Sequence, residues 1–248
     1  MKYKAIIFDL DGTAVPNRAD GMPGERLIEV VGKIKNKVFI CAATGRAITF
    51  SRHILKKLGL IAPCIISGGT QVIDPLTEKV LWSKSLAVHQ VEAVMEIARQ
   101  YDYKVYFSDD TIGELAKDKL IKNSENIIYI EPVNADDTKK ILTQLSKIPD
   151  ITAHPVMSWT AGHFDIHITH KEATKKHSVE VLLGILNVKK EEVIGFGDSD
   201  NDLPIFEAVG YKVAMSNGSE ALKQAADFIA PHAEADGLAE AIEKLVVI

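Results

Sequence analysis

Two aspartates, Asp9 and Asp11, stand two residues apart at the end of an apolar run, and Gly12 and Thr13 follow them. Carboxylates at alternate positions of an extended chain point to the same side, and the glycine lets the backbone leave the strand tightly. Such a pair can supply a nucleophile and a neighbouring acid–base group, provided that a cation keeps the nucleophile ionised. The string from Asp9 to Thr13 therefore favours carboxylate catalysis over an ordinary turn.

A second polar segment, Thr44-Gly45-Arg46, follows the apolar run Val38 to Ala42 and precedes a helix predicted over 48–58. A hydroxyl and backbone amides just before a helix meet the positive end of the helix dipole, which favours a phosphate oxygen. Capping of the helix by Thr44 explains the same residues equally well. On its own, this segment leaves both interpretations open.

A lysine opens the helix predicted over 175–186, where the residues run Thr174-Lys175-Lys176. A cation at this place could bind phosphate, although a solvated side chain is the ordinary alternative and Lys176 competes for the role. The pattern becomes informative only when it is combined with the other polar loops.

The densest acidic segment is Gly197 to Asp202, which follows the predicted strand at 193–196 and contains Asp198, Asn201 and Asp202. Magnesium prefers hard oxygen ligands and retains several waters, so one or two carboxylates and a substrate phosphate suffice to bind it. The segment therefore predicts a Mg²⁺ site.

The elements that must position these loops alternate between strands and helices at both ends of the chain. Strands are predicted at 3–10, 38–42, 64–66, 193–196, 211–215 and 228–229, with a hairpin over 72–82. This alternation predicts an α/β fold with a doubly wound parallel-sheet, Rossmann-like core. Ligands of such sheets bind outside the carboxyl ends of the strands, so we expect the polar loops to converge there.

The middle of the chain has a different texture. Its predicted elements are helices at 88–100 and 136–147 and strands at 104–107, 127–130, 151–157 and 164–168. We interpret them as two strand-helix-strand units of an inserted α+β cap domain. The predicted domains are thus 1–82 as the first part of the core, 83–170 as a cap that selects substrate, and 171–248 as the second part of the core.

Composition narrows the classes of partner. The 248 residues are 46% hydrophobic and carry a formal net charge of −5, with a pI near 5.9. Without excess cationic residues, binding to nucleic acid or to an anionic membrane is disfavoured. Cys41 and Cys64 lie in apolar stretches and are expected as buried thiols, and no apolar run approaches the ~20 residues of a membrane span. We expect a cytoplasmic protein, and the sequence gives no indication of its oligomeric state.

Taken together, the four loops resemble those of the haloacid dehalogenase-like superfamily, and the inserted segment resembles the type IIB cap of the Cof-like sugar phosphatases. The resemblance covers essentially the whole chain. It implies that Asp9 is the nucleophile and Asp11 the general acid–base. It further implies that phosphate is bound by Thr44, Gly45, Gly68, Lys175 and Asn201.

For the metal, the resemblance implies Mg²⁺ held by Asp9, Asp11 and Asp198. Thr13, Arg46 and Asp202 are expected to support these groups. The chain departs from the family pattern where Ser67-Gly68-Gly69 replaces the usual Asn-Gly-Ala, and where Lys176 replaces a glycine. Even so, we expect the amide of Gly68 to remain available to the phosphate.

The expected activity is Mg²⁺-dependent hydrolysis of a small phosphorylated metabolite, such as a sugar phosphate, through an aspartyl-phosphate on Asp9. A phosphomutase or phosphotransferase of the phosphomannomutase type is the alternative. A catalytically dead binding module would lack one of the four principal residues, and all four are present. In the cap, Trp159 and His163 are candidate substrate contacts. Trp159 could equally cover the sheet of the cap. His163 and His167 alternate with apolar residues, which favours an ordinary exposed sheet face for both.

Overall fold

The computed structural model describes residues 2–18, 20–107, 126–158 and 160–246. The predicted contact Trp159 lies outside these ranges, as does the acidic pair Asp109 and Asp110, a further candidate for substrate contact in the cap. The chain divides into two compact units, one formed by Met1–Trp82 with Thr174–Ile248 and the other by Ser83–Ala173. Residues 171–173, which the sequence analysis assigned to the core, belong to the second unit, where Lys171 is ion-paired with Asp150 at 2.6 Å.

The first unit is an α/β structure, as predicted. Its elements before the second unit are β1 (Ala5–Phe8), α1 (Glu25–Ile34), β2 (Phe39–Ala42), α2 (Ile48–Leu58), β3 (Cys64–Ile66), β4 (Gln71–Ile73) and β5 (Val80–Ser83). After the second unit come α5 (Lys175–Leu186), β10 (Val193–Gly197), α6 (Leu203–Ala208), β11 (Tyr211–Met215), α7 (Glu220–Ala225), β12 (Phe228–Ala230) and α8 (Gly237–Leu245). Five of these strands form a parallel sheet in the order β12-β11-β10-β1-β2.

Strand β1 is apolar throughout because both of its faces are covered. Ile6 and Phe8 pack in one hydrophobic cluster, whereas Ala5 and Ile7 pack in another. A parallel strand that is buried on both sides needs apolar residues at successive positions instead of alternate ones. The polar residues that follow β1 therefore begin where this buried strand ends, at the carboxyl end of the sheet.

Helices α2 and α5 have the bounds that the sequence predicted. Helix α2 ends at Gly59, whose φ of 65° is the left-handed conformation that glycine adopts without strain. Helix α5 begins after Thr174, whose side chain accepts a hydrogen bond from the amide of His177. That cap fixes Lys175 as the first residue of the helix.

A smaller sheet in the order β3-β4-β5 completes the first unit. A parallel bridge between Ala43 and Ile65 brings β3 beside the loop that follows β2. The carboxyl end of β3 therefore lies next to the predicted phosphate-binding segment.

The second unit contains α3 (Val88–Ala98), β6 (Lys104–Phe107), β7 (Ile128–Asn134), α4 (Ala135–Leu145), β8 (Ile151–Met157) and β9 (His163–His170). Its antiparallel sheet has the order β6-β7-β9-β8. Among the described residues, α3 precedes β6 and β7 in the chain, and α4 lies between β7 and β8. Antiparallel neighbours such as β8 and β9 need no crossover helix between them.

One face of this second sheet packs against its helices. Its apolar core joins residues of α3 and α4 to alternate strand residues such as Ile130 and Ile166. Tyr129 and His167 alternate with these residues and belong to the opposite face. Among the described residues of both units, no helix has the length and apolar character that crossing a bilayer requires.

Candidate active site

The nucleophile candidate Asp9 directly follows β1 at the carboxyl end of the parallel sheet. Its amide donates to the carbonyl of Phe196 at 3.1 Å, so Asp9 is held one residue beyond β1, and its side chain is buried. Gly12 then turns the chain with a φ of 76°, and a Cβ at this position would collide with the carboxylate of Asp198. Glycine is thus required both for the turn and for the close approach of the two acidic loops.

Lys175 joins three loops through its ammonium group. Nζ lies 2.7 Å from Oδ1 of Asp9 and 2.7 Å from Oδ1 of Asp202, and Oδ1 of Asn201 is 3.5 Å away. Only 5% of the lysine side chain is exposed. The neighbouring Lys176 instead contacts Glu207 at 2.8 Å on the surface, so Lys175 is the lysine of this pair that contacts Asp9.

Burial and charge act against each other in this set. Burial raises the pKa of Asp9 well above its usual range; Lys175 opposes the rise, and the carboxylates of Asp202 and Asp198 add to it. Burial alone would lower the pKa of Lys175, but Asp202 and Asp9 outweigh it and the pKa is raised. Lys175 therefore remains a cation, and further positive charge beside Asp9 would lower the pKa of its carboxyl.

Asp11 is held by Arg46. The guanidinium Nε donates to Oδ2 of Asp11 at 2.8 Å and Nη2 donates to Oδ1 at 2.5 Å, a two-point pairing that fixes the plane of the carboxylate. Arg46 is itself anchored, since Nη2 also donates to the carbonyl of Arg18 at 3.0 Å. The predicted supporting residue Arg46 thus lies in direct contact with the predicted acid–base group.

An acidic cluster offers a place for a cation. Carboxylate oxygens of Asp9, Asp198 and Asp202 lie within 4.8 Å of one another. Burial raises the pKa of Asp198 to about 7, Asp202 adds to the rise, and the hydroxyl of Thr13, which donates to Oδ1 at 3.2 Å, opposes it. Carboxylates that repel one another in a buried site are what a hard divalent cation neutralises, so these residues fit such an ion.

Both carboxylate oxygens of Asp202 accept hydrogen bonds. Oδ1 accepts from Lys175, and Oδ2 accepts from the amides of Asp198 at 3.0 Å and Ser199 at 3.1 Å. Its side chain therefore shapes the loop and orients Lys175. By contrast, Asp9 and Asp198 each accept a side-chain hydrogen bond at Oδ1 from the described residues, from Lys175 and Thr13 respectively.

The predicted phosphate-binding groups meet beside these residues. The hydroxyl oxygen of Thr44 accepts from the amide of Arg46 at 3.0 Å, and the Cα of Gly45 faces open space. The amide of Gly68 differs from the expectation, because it donates to the carbonyl of Thr44 at 3.1 Å and is not free for phosphate. The glycine serves to tie two loops together.

Sequence reasoning missed Asn217. Its Nδ2 donates to the carbonyl of Gly12 at 2.8 Å, and its Oδ1 accepts from the amide of Ala233 at 3.0 Å, so it clamps the first catalytic loop. The signal was present, because Ser216-Asn217-Gly218 follows β11 just as the other polar loops follow their strands.

The cap candidates belong to the second unit. Nδ1 of His163 lies 3.0 Å from the carbonyl of Ala161, within its own turn. His167 is half-buried, with its ring 4.8 Å from that of Tyr129 in an edge-on contact, so the expectation of an ordinary exposed face does not hold for it. Burial lowers the pKa of His167 to about 4.

Comparison with known proteins finds a hydrolase family and named phosphatases. A family model described as haloacid dehalogenase-like hydrolase matches residues 6–129 and 110–242. A putative phosphatase of Mycoplasma genitalium is 27% identical, over 92% of this chain and 93% of that protein. A phosphoglycolate phosphatase of Methanosarcina acetivorans is 26% identical, over 99% of this chain and 97% of that protein.

A similar fold occurs among solved structures. A haloacid dehalogenase-like hydrolase from Bacteroides thetaiotaomicron superposes with a TM-score of 0.83 at 22% identity, over 98% of this chain and 99% of that chain. At this identity the likeness establishes the fold.

Proposed function

Because the chain belongs to the haloacid dehalogenase-like hydrolase family and is a phosphatase, we propose that it hydrolyses a small phosphomonoester, such as a sugar phosphate, through an aspartyl-phosphate on Asp9 with Mg²⁺ as cofactor. The observation that carries the proposal is the buried contact of Asp9 with Lys175, beside Asp198. A nucleophilic carboxylate, a cation for the phosphate and ligands for a metal are the parts that this type of phosphoryl transfer requires.

In the first half-reaction, an oxygen of Asp9 forms a bond to phosphorus while the bond from phosphorus to the leaving oxygen breaks. Lys175, already 2.7 Å from Asp9, is placed to neutralise phosphate oxygens that approach the nucleophile. Thr44 accepts from the Arg46 amide, which leaves its own O–H to donate to the phosphate. Prearranged donors of this kind lower the barrier without reorganisation during the reaction.

Asp11 serves both half-reactions. It gives a proton to the departing alkoxide and, as the resulting carboxylate, takes a proton from the water that hydrolyses the acyl phosphate. The two hydrogen bonds from Arg46 keep this carboxylate in one orientation. Arg46 therefore acts on the reaction through Asp11.

The carboxylates of Asp9 and Asp198 and the backbone carbonyl of Asp11 would hold Mg²⁺. When bound, the ion neutralises negative charge on the nucleophile and on the phosphate. Asp202 is not assigned as a ligand, because both of its oxygens already accept hydrogen bonds.

We assign the choice of leaving group to the second unit, predicted as the cap over 83–170. Asp9, Asp11, Thr44, Lys175 and Asp198 all belong to the first unit, so the second is free to vary with the substrate. Phosphoglycolate, named for the Methanosarcina relative, and sugar phosphates are the first substrates to compare.

Release of inorganic phosphate from a panel of phosphomonoesters tests the proposal. The panel contains sugar phosphates, phosphoglycolate, flavin mononucleotide, pyridoxal phosphate and an aryl phosphate. We expect release that disappears on chelation and returns with Mg²⁺, with Ca²⁺ a poor substitute because its coordination is looser. Full activity after exhaustive chelation would contradict the metal assignment. Isomerisation of a sugar phosphate that depends on a bisphosphorylated sugar, without phosphate release, would identify a mutase instead.

A further inference from the structure

A short turn over Ser67–Thr70 follows β3. The amide of Ser67 donates to the carbonyl of Arg46 at 2.9 Å, and the amide of Gly68 donates to the carbonyl of Thr44 at 3.1 Å. The turn is therefore fastened by its backbone to the loop that carries the phosphate-binding hydroxyl and the partner of Asp11.

The other side of the turn lies against the start of α5. Gly69 has a φ of 102°, and a Cβ on it would lie 2.5 Å from the carbonyl carbon of Thr174 and 2.7 Å from the backbone nitrogen of Lys175. Real Cβ atoms do not approach other atoms so closely, and because the atoms in the way are backbone atoms, no side-chain rotation would relieve the contact. Only glycine lets the turn and the helix approach to this distance.

The side chains of the turn contribute little to holding it. Ser67 and Thr70 are fully buried, yet their hydroxyl oxygens have no hydrogen-bond partner among the described residues. Ser67 also has a φ of 50°, which is unfavourable for a residue with a side chain. Such a conformation persists only where the surroundings impose it, so the backbone contacts on both sides determine the shape of the turn.

We propose that the turn over Ser67–Thr70 is a positioning element for Lys175 and that Gly69 is the residue on which it depends. The turn sets the separation between the start of α5 and the Thr44 loop, and with it the place of the ammonium group relative to Asp9. A Cβ at residue 69 would push α5 away and move Nζ from its 2.7 Å contact. The inference rests on the proposed function, because it takes phosphate binding as the role of Lys175.

The test compares Gly69→Ala with Gly162→Ala. Residue 162, in the second unit, also has a positive φ, of 75°, but a Cβ there would meet nothing within 4 Å, so the matched variant adds the same atom without the collision. Thr70→Val, which removes a hydroxyl without a partner, is a second control. Binding of inorganic phosphate by calorimetry and the kcat and KM for an aryl phosphate are measured for each.

We expect Gly69→Ala to weaken phosphate binding and to lower kcat/KM by about tenfold or more, because small misplacements of a charged group are costly. Both controls should stay within about twofold, a range typical of changes that remove no contact. In a Lys175→Met background, the added Gly69→Ala change should cause no further loss of phosphate affinity, since a residue that acts through Lys175 has nothing left to position. An equal loss in both backgrounds would overturn the proposal, as would equal behaviour of the two alanine variants.

Should Gly69→Ala fail to fold, hydrogen exchange of the wild-type protein decides the question. Inorganic phosphate should protect the amides of residues 67–70 together with those of the first turn of α5; protection of α5 without the turn would overturn the inference. The two proposals fail separately: a wild-type protein that hydrolyses no phosphomonoester refutes the proposed function, whereas an active protein indifferent to Gly69→Ala refutes only the positioning role.

Discussion

The two units treat buried ionisable groups in different ways. In the first unit, Lys175 lies 2.7 Å from both Asp9 and Asp202, and Arg46 pairs with Asp11. In the second unit, burial acts first on the groups of the sheet: it lowers the pKa of His167 to about 4 and raises that of Glu131 to about 7. Burial also acts on the first unit, but there opposite charges at 2.7 Å outweigh its effect on the pKa of Lys175 and oppose its effect on the pKa of Asp9. On the second sheet, desolvation drives His167 and Glu131 towards neutrality.

The largest expected effect on turnover comes from replacing Asp9, the proposed nucleophile in the first unit. Asp9→Asn should reduce turnover by at least about 10³-fold, since it removes the attacking oxygen anion. The fold should survive, because Lys175 keeps its contact with Asp202. Steady-state kinetics and a urea titration measure the two quantities, and Asp136→Asn on the exposed start of α4 is the control. Near-normal turnover would remove Asp9 from the role of nucleophile.

Breaking the ion pair between Arg46 and Asp11 should lower kcat less than removing the nucleophile does. Arg46→Met is expected to lower kcat for an alkyl phosphate by about 10- to 100-fold, because general acid–base catalysis is worth roughly that much and more. The loss should be smaller for an aryl phosphate, whose leaving group needs little protonation. Arg52→Met, which breaks an exposed pair with Glu78, is the matched control. Equal losses on both substrates would show that Arg46 does not act through Asp11.

On the second sheet, His167 should make stability sensitive to acid. Its folded pKa of about 4 lies below the usual 6.5, so the unfolded chain takes up a proton first. Its contribution to stability is complete above about pH 6.5 and is lost as pH falls towards 4, by on the order of 2 kcal/mol after allowance for its partial contact with solvent. Urea titrations at pH 7, 5.5 and 4 should show a shallower pH dependence for His167→Phe. An unchanged dependence would mean that the ring is not desolvated.

Glu131 should have the smallest effect on the pH dependence of stability, and its contribution should fall as pH rises, opposite to that of His167. Its folded pKa of about 7 lies above the usual 4.5, so the folded state binds the proton more firmly. Stability is greatest below about pH 4.5 and falls as pH rises to 7. Glu131→Gln should therefore gain on the wild type with rising pH, by about 1 kcal/mol at pH 8 once partial exposure is allowed for. A variant less stable than the wild type at pH 8 would contradict the desolvation of this group.

Much of the first unit was predictable because its signals are local. The apolar run of β1 and the cap and stop residues of α2 and α5 depend on neighbours in the chain, and the polar loops follow their strands directly. Helix α1 was missed although it carries the same kind of signal, since its buried residues recur at helical spacing: Leu27, Val30, Val31 and Ile34.

Other features depend on residues far apart in the chain and could not be predicted in this way. Asn217 and Gly12, 205 positions apart, meet only once the parallel sheet has formed. The partner of the Gly68 amide is likewise supplied by another loop. The alternating pattern placed His167 on the outer face of its sheet, but its burial depends on Tyr129 of the neighbouring strand, which the pattern does not reveal.

The central claim is that phosphate is transferred to Asp9, and trapping the intermediate tests it most directly. The protein is mixed with an aryl phosphate labelled with ³²P in the presence of Mg²⁺, quenched in acid within the first turnover and digested for peptide mapping. We expect label on the peptide that contains Asp9 in the wild-type protein, and no label in Asp9→Asn. Steady phosphate release without any label on the protein, or label on a different peptide, would contradict it.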